Sequence, residues 1–309
     1  MKASPLELAA AATAIDPSFV IMFETTTGSL FLGFLISAAL LGVAYAQACV
    51  YFRRRCRTDA GIVRFIVVAI IFLETAHMVL AAHGVYTYTV LDHANPALLA
   101  NTVQTIIMST VPATTVVLIV QYVWIMRIYT LNRSVHRKYL AGSMMFMCLA
   151  EAGISLTWAG LGMEEPTWSS PSDVQPLLTL AFAVRCLNDS VITSLLIFHL
   201  RRARNGIRET DGMIQTMLAY GLNAGLIACC GSVVIVTLLV VEGAKSLNYV
   251  AVYMVFSKVY GISLLAILNW RSPQDGMRPS DAEDDCMELS TAHNGIFTDV
   301  SLISSMSHL

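Results

Sequence analysis

Between Glu24 and Arg53 the chain carries no charged residue. An apolar run of that length exceeds the roughly 20 residues that an α-helix needs to cross the hydrocarbon core of a bilayer. In lipid every backbone N–H and C=O must be satisfied within the segment, which leaves a helix as the form such a run can take. Six further runs pass the same test, so candidate spans lie at residues 28–52, 62–84, 98–126, 139–161, 176–199, 213–241 and 247–269. The fold class expected is therefore all-α, an integral membrane bundle of seven transmembrane helices. Composition agrees, because 13% of residues are charged and 56% hydrophobic, whereas about 25% are charged in a soluble domain.

Basic residues orient the bundle. "RRRCR" (53–57), "MRIYTLNRSVHRK" (126–138) and "RRARNGIRETDG" (201–212) alternate with the cation-poor connections 85–96, 162–175 and 242–248. Positive charge concentrates on the cytosolic side of membrane proteins, which places the N-terminus outside and the C-terminus in the cytosol. Residues 1–27 then read as an external tail, 28–271 as the seven-helix domain, and 272–309 as a disordered acidic cytosolic tail containing "DAEDD". Glu7 interrupts the apolar part of the N-terminal stretch, against a cleaved signal peptide. The partner implied by every span is the lipid bilayer, of the plasma membrane or endoplasmic reticulum. A cytosolic partner has 201–212 and the tail to engage. No basic stripe with interleaved aromatics appears, so no nucleic acid is expected. The seven cysteines all fall outside the external segments, which excludes an external disulfide framework. Cys56, within "RRRCR" at the membrane edge, is a weak candidate for lipidation.

The spans are not wholly apolar. Glu74, His77, Glu151, Arg185, Asn188, Asp189, Asn223 and Lys258 all lie well inside them. Three carboxylates and two cations left unpaired in hydrocarbon would cost about 12–17 kcal/mol on insertion scales, so pairing is close to obligatory. Helix geometry puts Glu74 with His77 (i, i+3) and Arg185 with Asp189 (i, i+4) on shared faces. The Arg185–Asp189 pair in the fifth span can then neutralise itself, with Asn188 beside it. Lys258 and Glu151 have no charged neighbour on their own faces and require partners on other helices, with Glu74, Asp189 or Glu151 as choices for Lys258. Glu74 is expected to be protonated or to share a proton with His77, its one local partner. A single Glu-x-x-His without a second copy does not make a bundle metal site, so no metal is expected, and no cofactor.

Three stretches, "WIMRIYTLNRS" (124–134), "IFHLRRARNGIRETDGMI" (197–214) and "SKVYGISLLAILNWR" (257–271), resemble a family of fungal, mostly basidiomycete, seven-span proteins catalogued as a domain of unknown function. The resemblance rests on Lys258, Tyr260, Leu264, Leu265, Leu268, Asn269 and Arg271, and on Glu74 within a Leu-Glu-Thr. It covers roughly residues 28–271 and departs at Gly261-Ile262, where the family would carry polar residues. It implies the fold and the membrane location, adds Tyr260 to the polar residues of interest, and implies no activity.

Function is read from the polar interior. Sensing of a small lipophilic ligand, by a receptor-like and non-enzymatic protein, is the first reading, with His77, Glu151, Arg185, Asn188, Lys258 and Tyr260 as the polar network. The alternative is a membrane-embedded acid–base enzyme on a terpenoid-type substrate, a cyclase or isomerase, with Glu74 as proton donor and Asp189 stabilising the cation. A proton-coupled transporter is the third. A retinal protein is disfavoured, since the third span offers Lys258 no carboxylate counter-ion.

Overall fold

The computed structural model describes residues 17–54, 59–91, 102–132, 134–164, 174–202, 208–242 and 246–269. Side chains are described from Thr27 in the first helix and from Gly225 in the seventh. Cys56, Asn223, the side chains of 203–212 and the acidic tail lie outside the described residues.

The described chain is helical throughout, without a strand. The helices are α1 (Pro17–Arg54), α2 (Gly61–Tyr86), α3 (Gln104–Met108), α4 (Thr110–Leu131), α5 (Arg137–Gly162), α6 (Val174–Arg202), α7 (Arg208–Val241) and α8 (Asn248–Asn269). Six stretches are long and apolar enough to cross a membrane: Thr27–Arg53, Gly61–Leu91, Gln104–Leu131, Arg137–Gly162, Gln175–Arg202 and Asn248–Asn269. In α7 the described apolar stretch is the shorter Gly225–Val241. The chain is thus a multi-pass, membrane-type helical protein.

Long helices in sequence order pack side by side, and α8 returns against α1, which closes a ring; α8 also reaches α2 and α4 across it. The close α1–α8 approach depends on Gly33, where a Cβ would lie 2.7 Å from the carbonyl oxygen of Ala251. Ser37 reinforces that seam by donating to the Met254 carbonyl at 2.9 Å.

Several boundaries differ from the sequence expectation, each for a local reason. α1 begins at Pro17, ahead of the expected start at 28; proline's fixed φ suits the first helical turn. α2 continues as a π-helical turn over Thr87–Leu91 into what reads as a connection. There Thr87 and Thr89 donate to the His83 and Val85 carbonyls at 2.9 and 2.7 Å, which satisfies backbone groups as the helix widens. The third span starts at Gln104 and breaks at Ser109. Pro112 accounts for the break: it has no N–H to offer the Met108 carbonyl four residues back, and it then sits in the first turn of α4, where proline is tolerated.

On α2 the two faces separate cleanly. Phe65, Phe72 and Val79, seven residues apart, are 70%, 70% and 64% exposed, while Ile70, Glu74, His77 and Ala81 are buried. An exposed aromatic stripe of this kind is a poor surface for water and a good one for acyl chains. The polar residues face inward. α6 repeats the arrangement, with Leu180, Leu187 and Phe198 outside and Phe182, Arg185, Asn188, Asp189 and Ile192 inside.

Candidate functional site

The inward polar side chains form two clusters. The first joins α8 to α2. Lys258 is buried, and its Nζ lies 2.5 Å from Glu74 Oε2, 3.1 Å from the Glu74 carbonyl oxygen and 3.0 Å from His77 Nδ1. The ammonium has three protons and these three acceptors take them. With Lys258 as the donor, Nδ1 accepts and the ring is the Nε2–H tautomer, its Nε2 buried without a hydrogen-bond partner. Glu74 thus has a partner on α8 besides His77, its one local partner along α2. The carboxylate faces an ammonium, and the lysine stands between the two residues that sequence spacing had paired. Gly261 makes the room. A Cβ there would lie 2.8 Å from Glu74 Oε1 and 3.2 Å from Ile70 Cγ2, so the absence of a side chain at the position where a polar residue was expected lets the carboxylate pack against the α8 backbone.

The second cluster joins α4, α5, α6 and α8. Arg185 Nε donates to Glu151 Oε1 at 2.6 Å. Gln121 Nε2 donates to Glu151 Oε2 at 3.3 Å and to Asp189 Oδ1 at 3.1 Å. Asn188 Nδ2 reaches Cys148 Sγ at 3.1 Å and Glu151 Oε2 at 3.5 Å. Tyr260 donates to Asp189 Oδ2 at 2.5 Å. The expected Arg185–Asp189 pair on one helix is therefore not the contact that forms. Helical side chains lean toward the N-terminus, so Arg185 leans away from Asp189, one turn C-terminal to it. A cation N-terminal to an anion at this spacing is the weaker order. The guanidinium instead lies over the Phe182 ring, with Cζ 5.4 Å from its centroid, and meets Glu151 across the helix interface. An aromatic bridge runs between the clusters. The His77 and Tyr253 rings are edge-to-face at 6.3 Å, and the Tyr253 and Phe182 rings at 5.7 Å.

All eight sequence-stated polar site residues, Glu74, His77, Glu151, Arg185, Asn188, Asp189, Lys258 and Tyr260, are buried. The structure divides them: Glu74, His77 and Lys258 in one cluster, the other five in the second. Gln121 escaped the sequence reading, although it is the hub of the second cluster. It is an amide in the apolar run "VVLIVQYVW" (116–124), as visible in the sequence as Asn188 and Asn223, and the third span was read without it.

Two small cavities flank the second cluster. One lies toward the end where α6 and α8 begin and α5 finishes, walled by Ile106, Trp158, Leu178, Phe182 and Val250, with Arg185 as its charged contact. The other lies toward the opposite end and is lined by Gln121, Asp189, Thr193, Tyr260 and Ser263 among apolar neighbours. Each holds about 30 Å³, room for a water molecule or two. Neither is lined by Glu74 or His77. Among the described residues no three His, Cys, Asp or Glu side chains converge as metal ligands do.

The model of a family of unknown function (DUF6534) matches residues 185–273. The matched part begins at Arg185 and takes in Asn188, Asp189, Lys258, Tyr260 and Gly261; Glu74, Gln121 and Glu151 lie outside it. No curated protein and no solved structure matches the chain.

Proposed function

We propose that this chain is a seven-span membrane sensor, N-terminus outside, for a small lipophilic ligand that carries an acceptor or acidic group. The observation that supports the reading is the cavity against Arg185. Its walls are mostly apolar with hydroxyls of Ser109, Thr110, Ser155, Tyr249 and Tyr253 among them, its one charged contact is a guanidinium, and that guanidinium is already held by Glu151. A ligand acid arriving there competes with Glu151 for Arg185. The disturbance passes through Gln121 to Asp189 and Tyr260, on the side that loop charge assigns to the cytosol.

The size of the cavity bears on the mechanism. Pockets for drug-sized ligands measure about 300–1,000 Å³, so the ends of α5, α6 and α8 must part before such a ligand fits. A ligand that binds only the parted form shifts the equilibrium by its differential affinity, which is what a receptor requires.

The other two readings lose support on particular atoms. As an enzyme's proton donor, Glu74 would have to be protonated and face a substrate cavity; it is paired with Lys258 and lines neither cavity. As a proton path, the second cluster would have to pass a proton between Glu151 and Asp189. The group between them is the Gln121 amide, which donates to both and relays nothing.

The test uses purified full-length protein in nanodiscs and a series of medium- to long-chain saturated fatty acids as probes, each an apolar chain with one acidic group. Saturable thermal stabilisation is expected, and Ala181→Val, which adds carbons to the cavity wall, is expected to weaken it with little change in unliganded stability. Stabilisation that is non-saturable, or equal in both proteins, would assign the effect to the bilayer and remove the sensor reading.

A further inference from the structure

The two clusters differ in charge balance. Lys258 and Glu74 cancel, and His77 is neutral. Among the described residues of the second cluster, Glu151 and Asp189 in their ionised forms supply two negative charges against the single positive charge of Arg185, which leaves one negative charge in excess. Every carboxylate oxygen of the cluster faces a hydrogen-bond partner, Gln121 and Tyr260 at Asp189 and Arg185, Gln121 and Asn188 at Glu151, an arrangement that suits the ionised form of both. A buried charge without a partner is costly in a membrane. The excess sits on the Asp189 side, because Arg185 is bonded to Glu151.

A second feature lies at the same place. Gln121 is 1% exposed, and its Oε1 is buried with no hydrogen-bond partner. Its orientation is fixed by the network, since turning the amide over would aim Oε1 at two carboxylates. Gln121 and Asp189 both line the second cavity, together with the hydroxyl-bearing Thr193, Tyr260 and Ser263. Excess negative charge, an unsatisfied carbonyl and hydroxyl oxygens thus surround a space the size of one or two waters.

We propose that this cavity binds one monovalent inorganic cation of sodium size, held by Asp189, the Gln121 carbonyl oxygen and the Ser263 hydroxyl. The groups that Asp189, Gln121, Thr193, Tyr260 and Ser263 offer are oxygens, the donor type that hard cations select. One charge is the amount that neutralises the cluster; a divalent ion would reverse the imbalance. The ion would sit on the far side of the Arg185–Glu151 pair from the first cavity, so the proposal holds whether or not that cavity takes a ligand.

The test measures thermal unfolding of the full chain in nanodiscs of zwitterionic lipid, with sodium chloride exchanged for N-methylglucamine chloride at constant ionic strength. The expected result is a saturable rise in melting temperature with sodium, lost in Asp189→Asn. Ser263→Ala should raise the half-saturating sodium concentration several-fold, and this variant decides the matter if Asp189→Asn does not fold. Three results would overturn the proposal: a melting temperature indifferent to sodium, an equal sodium response in wild type and Asp189→Asn, or an unchanged half-saturation in Ser263→Ala. An infrared carboxylic C=O band that disappears in Asp189→Asn would also overturn it, by showing that a proton neutralises the cluster instead.

Discussion

Replacing Lys258 by Met tests whether the α2–α8 seam is held by charge. Methionine keeps an unbranched chain of similar reach and packs adaptably, so the loss is chiefly that of the ammonium. Its removal leaves Glu74 Oε2, the Glu74 carbonyl oxygen and His77 Nδ1 without the donor that now lies 2.5, 3.1 and 3.0 Å away. Breaking a buried pair from one side costs about 3–5 kcal/mol. Glu74 can lower that cost by taking up a proton, so a figure near the bottom of the range, about 3 kcal/mol, is expected. The double variant Lys258→Met/Glu74→Gln carries no buried charge at this seam and should recover about half of the loss or more, a coupling well above the few tenths expected of independent sites. Reversible unfolding of the purified proteins in mixed micelles measures all three differences. Infrared spectra should also gain a carboxylic C=O band in Lys258→Met that is absent from wild type at Glu74. The reasoning fails if the double variant is no more stable than Lys258→Met, and fails more specifically if Lys258→Met/Asp189→Asn is the combination that recovers.

Arg185→Met should cost more than Lys258→Met, because it leaves two buried carboxylates bridged by one amide rather than a single carboxylate; adding Glu151→Gln should recover more stability than adding Asp189→Asn, as compared by the same unfolding measurement. Gly261→Ala should destabilise by about 1–3 kcal/mol, the usual range for overpacking, because the new methyl meets Oε1 of a Glu74 carboxylate that Lys258 holds through Oε2; in a Glu74→Ala background the same change should cost clearly less, and equal costs in both backgrounds would refute that cause. For orientation, a glycosylation sequon introduced into 162–175 should be used in a eukaryotic membrane and one introduced into 201–212 should not, with the reverse pattern overturning the sidedness.

The helices were legible because hydrocarbon leaves little choice. A chain without charge from 25 to 52 can satisfy its backbone in lipid only by coiling. Ends were less legible. The π turn at Thr87–Leu91 and the break at Ser109 depend on single hydroxyls and on the missing N–H of Pro112, which a 20-residue average of hydropathy does not register. Burial of the polar residues could also be inferred, since insertion cost forces charged groups inward whatever their partners.

Choice of partner was legible in part: the expected interhelical contacts of Lys258 and Glu151 form, with Glu74 and Arg185, whereas spacing along one helix misassigned Arg185 to Asp189. Spacing along a helix counts residues on a face, whereas a side chain's reach is set by its tilt and by what the neighbouring helix offers. Arg185 shares a face with Asp189 but tilts toward Phe182, where Glu151 of α5 is 2.6 Å away. Glu74 shares a face with His77, yet Lys258 of α8 takes hydrogen-bond positions on both, and only because Gly261 lets α8 come close enough. Each exchange between intrahelical and interhelical partners also decides where charge is left over. Had Arg185 bonded Asp189, the excess would lie on Glu151, away from the second cavity. With Arg185 on Glu151 it lies on Asp189, beside an unsatisfied carbonyl and a space that fits a small ion.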